Sequence, residues 1–308
     1  MTFPARSAHL RIGSTTLTYL PDGHGVHPAA TVFPEADRSV LHDYLDDEGQ
    51  VILSFGSFLL RTGGRRILVD LGMGAADFRI PGVGRIRSGS LLESLAGEGL
   101  SPQDIDTVVY THLHRDHVGW TSDVSAHPAD PDGPASAPAA LTFPRARHLV
   151  AEAEWTYWTK EADADAGGPD PRGVLEPLGD VVGFLGDGDE VAPGVTVRLT
   201  AGHTPGHLAL EVTDPDGPGS ERVLIVGDVL HSAAQIAEPG WSFFADVDAR
   251  LALTTREKVL AEPGTILAAG HFSGQVFGRV EHSTSGTTWL PHPTEDRPPA
   301  GGGVGSGS

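Results

Sequence analysis

Several predicted strands of this 308-residue chain run directly into residue types that bind metal ions. The strand Thr107–Thr111 leads into the segment HLHRDH, and three later strands end at Gly-His, Gly-Asp and Gly-His pairs that carry His203, Asp228 and His271. Each pair alone carries little information, because Gly-Asp is common in turns. Their joint occurrence predicts a fold in which a rigid sheet edge aims these side chains into one cleft.

The segment HLHRDH predicts how its side chains divide between ligand positions. His112 and His114 are two residues apart in an extended segment, so both imidazoles point to the same face and reach one ion. Asp116 and His117 are adjacent, point in different directions and are placed to serve a second ion. Because the chain has no cysteine, thiolate ligands and disulfides are excluded. Imidazole and carboxylate ligands suit Zn²⁺, Mn²⁺, iron or Co²⁺.

The composition restricts the partners. Acidic residues outnumber basic ones by 41 to 21, and a net charge of −20 repels nucleic acid and anionic membranes. No stretch approaches the roughly 18 to 20 apolar residues that span a bilayer, and the amino terminus has no secretory apolar segment. We therefore expect a soluble cytoplasmic protein whose partner is a small-molecule substrate.

The order of predicted elements indicates two packed sheets flanked by helices. Strands are predicted first, then a helix at Leu91–Leu100, more strands including Leu208–Thr213, a helix at Ala249–Leu260 and a last short strand. The Gly-, His- and Pro-rich stretch from Pro21 to Pro34, with His24 and His27, is predicted as a loop that covers the groove. Residues 1–293 are predicted as one domain, and the Gly-, Pro- and Ser-rich residues 294–308 as a disordered tail.

These segments, together with the strand ILVDLGMG before HLHRDH, resemble the metallo-β-lactamase superfamily over about residues 15–280. The resemblance implies an α+β fold, a four-layer αββα sandwich with a dinuclear metal site at one edge of the two sheets. It implies that the first ion is bound by His112, His114 and His203, the second by Asp116, His117 and His271, and that Asp228 bridges them.

Two residues near these segments have competing interpretations. His203 and His207 compete for one ligand role, and the family uses the first histidine of GHTPGH, which leaves His207 to support the ligands or to pack. Asp70 resembles a family position that supports the loop, and we expect a structural role for it.

The resemblance implies a hydrolase in which a hydroxide shared by two divalent ions attacks the substrate. Zinc is the expected metal, with manganese, iron and cobalt as alternatives. Asp116, Asp228 and His231 are the catalytic candidates, and no G-x-S-x-G nucleophile segment is present. The segments THLHRDHVGW, GDVLHSAAQI and GWSFFADVD most resemble the branch of acyl-homoserine lactonases and methyl parathion hydrolase. Lactonases commonly carry a tyrosine where this chain has His231, and an imidazole can also donate a hydrogen bond.

The leading expectation is hydrolysis of a lactone or other carboxylic ester with an apolar part. The aromatic side chains expected to wall the pocket are Trp241, Phe243, Phe244 and Phe272, for which core packing is the alternative. Phosphotriester and thioester hydrolysis are the alternative reactions. A mononuclear-iron sulfur oxygenase is the alternative of a different class, disfavoured because both metal sites look complete. A non-catalytic scaffold is disfavoured by the same complete set, and a homodimer, frequent in the family, remains open.

Overall fold

Two sheets divide the chain into an amino-terminal and a carboxy-terminal half. A computed structural model describes residues 2–126, 139–162, 167–217, 221–284 and 286–295. In the described residues, the first sheet contains β1 (Ala8–Ile12), β2 (Thr15–Pro28), β3 (Gln50–Thr62), β4 (Arg65–Val69), β5 (Ala76–Ile80), β6 (Gly84–Ser88), β7 (Thr107–Val109), β8 (Arg147–Ala151) and β9 (Val182–Leu185). The second contains β10 (Glu190–Ala192), β11 (Val195–Leu199), β12 (Leu208–Thr213), β13 (Arg222–Ile225), β14 (Ile266–Ala268), β15 (Phe277–Ser283) and β16 (Gly286–Pro291).

Helices lie between the strands along the chain. They are α1 (Ala29–Val32), α2 (Arg38–Leu41), α3 (Leu91–Gly97), α4 (Arg115–Val118), α5 (Asp123–Ala126), α6 (Glu152–Thr156), α7 (Glu176–Gly179), α8 (Ala234–Ala237) and α9 (Ala249–Leu260). Short 3₁₀ turns span His42–Tyr44, Pro102–Asp104 and Gly227–Val229, and π-helical turns span Tyr157–Glu161 and Pro171–Leu175.

Strand alternation explains the four layers. Side chains of successive strand residues point to opposite faces. In β12, Leu208 and Leu210 belong to the apolar cluster between the sheets, whereas Ala209 packs in the cluster that includes Val259 of α9. In β4, Leu68 likewise packs outward, in the cluster that includes Leu95 of α3. Each sheet therefore has two apolar faces, and the predicted αββα sandwich is confirmed.

Parallel pairing brings the ends of the relevant strands to one edge. β4, β7 and β8 pair in parallel in the first sheet, and β13 pairs in parallel with β14 in the second. The segments that follow β4, β7, β13 and β14 contain Asp70, His112, Asp228 and His271 respectively. The position of the site follows from this connectivity.

The predicted loop over residues 21–34 is wrong for most of its length. β2 continues to Pro28, and it pairs with β3 throughout and with β6 at its far end. The glycines of this stretch suggested a loop, but Gly23 lies within the strand at a close approach to the backbone of β6. A Cβ atom on Gly23 would lie 2.2 Å from the carbonyl oxygen of Arg87.

The last described residue returns to the first sheet. The amide of Glu295 donates a hydrogen bond of 2.9 Å to the carbonyl of His9 in β1. From residue 296 onward, the predicted tail lies outside the described residues. Among the described helices, none is long and apolar enough to cross a membrane.

Candidate metal centre

The structure brings together all seven residues predicted as metal ligands. They form two groups, and within each group the atoms that can bind a metal lie within 4.8 Å of one another. The first group is His112, His114, His203 and Asp228, and the second is Asp116, His117 and His271.

The imidazole nitrogens in these groups face one another at short distances. Nδ1 of His114 lies 3.0 Å from Nε2 of His112 and 2.8 Å from Nε2 of His203. In the second group, Nε2 of His117 lies 3.2 Å from Nε2 of His271. A neutral imidazole has one donor and one acceptor nitrogen. If the outer nitrogen of a ring, the one that faces away from the cluster, carries the proton, the nitrogen that faces into the cluster is free to bind a metal ion.

Oxygen atoms that only accept hydrogen bonds fix the protons on the outer nitrogens. Nδ1 of His117 donates to Asp70 at 2.9 Å, Nδ1 of His203 donates to Asp246 at 2.9 Å, and Nδ1 of His271 donates to the carbonyl of Ser54 at 2.8 Å. In the neutral tautomer this leaves each Nε2 with a lone pair directed into the cluster. Lone pairs that converge without donors between them fit a bound cation.

Asp228 lies between the two groups. Its Oδ1 is 3.1 Å from Nε2 of His117 and 3.0 Å from Nε2 of His271, while its Oδ2 is 3.2 Å from Nε2 of His203. The residue is 3% exposed. One oxygen therefore faces each group, which is the arrangement expected of a bridging carboxylate.

The electrostatics of the cluster favour positive charge. Burial alone would raise the pKa of Asp228, but the imidazoles of His117 and His271 hold it well below its usual value. Burial opposes protonation of His203, yet the carboxylate of Asp228 raises the pKa of that imidazole to about 9. Burial lowers the pKa of His114 to about 3. Protons and metal cations therefore compete for the same positions around Asp228.

Asp70 supports the loop that carries the first ligands. It accepts hydrogen bonds from the amide of Thr111 at 2.7 Å and from its hydroxyl at 2.8 Å, in addition to the bond from His117. Its φ of 62° is uncommon for a residue other than glycine. Asp70 orients His117 and the start of the HLHRDH segment, which is the structural role that the sequence predicts.

His207 is engaged away from the ligand groups. Its Nε2 accepts a hydrogen bond of 2.9 Å from the amide of Asp228, and its Nδ1 lies 2.8 Å from the hydroxyl of Thr200. Both ring nitrogens are therefore occupied. Of the two competing histidines, His203 is the one in the cluster, and His207 positions the backbone of Asp228.

His231, predicted as a catalytic residue, lies behind the pocket wall. Its Nε2 is 3.1 Å from Oδ2 of Asp228, and its ring stacks on Phe243 with centroids 3.5 Å apart and an interplanar angle of 12°. The residue is 1% exposed. This placement suits a residue that orients Asp228, and Phe243 occupies the position nearer the cavity.

A cavity of about 410 Å³ opens onto both ligand groups, since His114, Asp116 and Asp228 line it. Its apolar wall contains Leu53, Phe55, Phe243, Phe244 and Ala245.

Two of the four predicted pocket aromatics, Phe243 and Phe244, line this cavity, and the other two do not. Phe272 is 1% exposed and packs against Trp289 with centroids 5.0 Å apart. Trp241 packs against Phe33, with ring centroids 6.2 Å apart. Sequence reasoning missed Leu53 and Phe55, because nothing in their strand distinguishes the residues that face a cavity from those that face the core.

Comparisons with known proteins agree with this geometry. The family profile described as "Metallo-beta-lactamase superfamily" matches residues 57–271. An N-acyl homoserine lactonase from Bacillus cereus is 26% identical over 251 residues, which cover 76% of this chain and 88% of the relative. An N-acyl homoserine lactonase from Agrobacterium fabrum is 32% identical over 156 residues, 49% of each chain.

Solved structures share the fold over nearly the whole chain. AidC, a dizinc quorum-quenching lactonase solved with a product, superposes with a TM-score of 0.77 at 22% identity and covers 94% of this chain and 98% of its own. The hydrolase AbOPH superposes with a TM-score of 0.76 at 25% identity and covers 95% of this chain and 99% of its own. The resemblance expected from the sequence, including its lactonase-like branch, is confirmed: the chain belongs to the metallo-β-lactamase superfamily.

Proposed function

We propose that this metal-dependent hydrolase cleaves a lactone or another carboxylic ester that carries an apolar substituent. The observation that carries the proposal is the apolar cavity next to the metal-ligand groups, lined on one side by Phe243 and Phe244 and on another by Asp116 and Asp228. The names of the relatives from Bacillus cereus and Agrobacterium fabrum support the choice of a lactone among the esters.

The cluster fits two divalent cations, with zinc the first choice for these ligands. His112, His114 and His203 would hold one, Asp116, His117 and His271 the other, and Asp228 would lie between them. When bound, such ions supply Lewis-acid activation of water and of the ester carbonyl.

Residues of the chain itself would orient and protect the reaction. Asp116 has a side chain 26% exposed, more than the 8% of His117, and it lines the cavity. Its Oδ2 lies 3.6 Å from Nε2 of His271, beside the ligand atoms of the second group. Because Asp116 also lines the cavity, its carboxylate would orient an attacking water and accept its proton. The apolar wall binds the substituent of the ester and excludes bulk water from the reacting carbonyl.

The direct test measures metal content and substrate preference together. We expect purified protein to contain close to two zinc-like ions per chain and to hydrolyse lactones or aryl esters in preference to thioesters and phosphotriesters. Dialysis against a chelator should abolish turnover, and added zinc should restore it. One iron per chain, or turnover that survives metal removal, would contradict the proposal.

The apolar wall predicts a dependence on chain length. Replacing Phe244 by alanine is expected to raise KM for a lactone with a long acyl chain by roughly 5- to 10-fold, because the apolar area buried against the substituent is lost. The kcat for a short-chain lactone should change little. Steady-state kinetics on a series of acyl lengths would measure both.

Phe184 provides the matched control for Phe244. The two phenylalanines are similarly exposed, 48% and 52%, but Phe184 lies on β9 and is not among the residues that line the cavity. Phe184→Ala should leave KM unchanged at every chain length. Equal effects of the two substitutions would rule out this cavity as the binding site of the substituent.

A further inference from the structure

Glu154, at the start of α6, is a fully buried carboxylate that both metal-ligand loops contact. Its exposed fraction is 0%. Oε1 accepts hydrogen bonds from the amide of Leu113 at 2.9 Å and from Nε1 of Trp158 at 2.6 Å. Oε2 accepts from the hydroxyl of Thr204 at 2.6 Å and from the amide of Gly206 at 3.1 Å.

The partners of Glu154 are next to predicted ligands in two loops, one attached to each sheet. Leu113 lies between His112 and His114 in the segment after β7 of the first sheet. Thr204 directly follows His203 in the loop between β11 and β12 of the second sheet. One carboxylate therefore joins the two loops whose imidazoles must meet around a single cation.

Packing around Glu154 leaves little freedom for these loops. A Cβ atom on Gly206 would lie 2.0 Å from the amide nitrogen of Glu154, so the second loop approaches the helix backbone directly. Trp158, whose indole nitrogen donates to Glu154, places its ring edge-on to the imidazole of His114 with centroids 5.3 Å apart. The bonded network thus reaches the ligand ring itself.

The hydrogen-bond pattern suits the ionised carboxylate. Three of its four partners, the two amides and the indole, can only donate, and the hydroxyl of Thr204 is the one partner that could accept a proton from a neutral carboxyl group. Burial raises the pKa of Glu154 above its usual value, and the four hydrogen bonds offset only part of that rise. No ion pair to Glu154 occurs within the described part of the chain. A buried charge without a partner is costly, and divalent cations in the adjacent cluster would supply positive charge.

We propose that Glu154 is a positioning residue that fixes the two ligand loops relative to each other and, through its buried negative charge, increases the affinity of the group His112, His114 and His203 for a divalent cation. This inference rests on the metal centre of the proposed function.

Glu154→Gln tests both parts of the proposal. Glutamine has the same shape, but its amide nitrogen must face two donors and its charge is lost. Substitution of residues that support metal ligands typically costs about 10- to 100-fold in metal affinity, and we expect the zinc Kd to rise by that factor. Titration of metal-free protein against a chromophoric chelator measures it, and the spectrum of the Co²⁺-substituted protein should shift because the ligand geometry changes.

Glu98→Gln is the control for a buried carboxylate elsewhere. The Glu98 side chain is 8% exposed and forms an ion pair with Arg61 in β3. Arg61 lies seven residues along that strand from Ser54, the β3 residue whose carbonyl accepts a hydrogen bond from His271. This variant should lose thermal stability while it retains the wild-type zinc Kd. Wild-type affinity in Glu154→Gln, or an equal loss in both variants, would overturn the proposal.

A milder pair of substitutions keeps the test decisive if Glu154→Gln does not fold. Thr204→Val removes one hydrogen bond and keeps the carboxylate, so the zinc Kd should rise about 3- to 10-fold, whereas Thr204→Ser keeps the hydroxyl and should retain the affinity. Equal affinity in these two variants would overturn the positioning role. A wild-type protein that binds no zinc would contradict the proposed function instead.

Discussion

The variant Asp228→Ala is expected to lose both metal ions and more than about 100-fold in turnover. Removing a residue that merely supports a metal ligand costs about 10- to 100-fold, and Asp228 contacts both groups directly. Its two oxygens approach His117, His271 and His203 at 3.0 to 3.2 Å. Elemental analysis of the purified variant and its turnover of the best lactone measure the two losses.

Asp248→Asn is the matched control for Asp228→Ala. Asp248 is exposed and accepts a hydrogen bond from the amide of Leu251 at the start of α9, where asparagine is an equally good capping residue. This variant should retain its metals and its activity. If Asp228→Ala kept two ions and substantial turnover, the bridging arrangement would be wrong.

The parts of the site that the sequence predicts depend on local features. His203, Asp228 and His271 each lie three or four residues after the end of a strand, and such a ligand is recognisable because the strand end and the polar residue are close in the chain. The prediction of the helix Ala249–Leu260 and of the strand Leu208–Thr213 agrees with the structure in both bounds, because each has a clear period of its own.

The parts that sequence reasoning missed depend on contacts between distant residues. Asp246 orients His203 across 43 positions, and Glu154 reaches Leu113 across 41. Asp246 lies in the segment GWSFFADVD, but nothing in that segment assigns the carboxylate to His203, and Glu154 stands in no recognisable motif. By composition alone each would be assigned to a solvated surface. The stack of His231 on Phe243 joins residues twelve positions apart and also has no local signal.

Arg256 is the clearest case of a residue whose role only the structure reveals. It occupies the apolar face of α9 with Ala252 and Val259, and it is 1% exposed. Its guanidinium donates to the carbonyls of Val229 and Pro239 at 3.0 and 2.7 Å, and its Nη2 lies 3.6 Å from Oδ2 of Asp246. One side chain therefore joins the segment after Asp228, the segment before the pocket aromatics and the carboxylate that orients His203.

Arg256→Met is expected to destabilise the metal-free protein by about 3 to 5 kcal/mol. Methionine fills much of the volume, but the buried carbonyls of Val229 and Pro239 lose their donor, and Asp246 keeps only the imidazole of His203 as a buried cationic partner. Removing one member of a buried pair costs about this much. Urea denaturation of the metal-free variant measures the free energy of unfolding without a contribution from metal binding.

Comparison with Arg250→Met separates the effect of breaking the buried ion pair from the effect of replacing any arginine of α9. Arg250 lies on the same helix and is exposed, so its replacement should change the free energy of unfolding by less than about 0.5 kcal/mol. Arg256→Lys should fall between the two, because an ammonium keeps the charge but cannot reach several carbonyls in the fixed directions of a guanidinium. If Arg256→Met were as stable as Arg250→Met, the charge of Asp246 would be compensated by His203, and the pair between His203 and Asp246 would be the stabilising one.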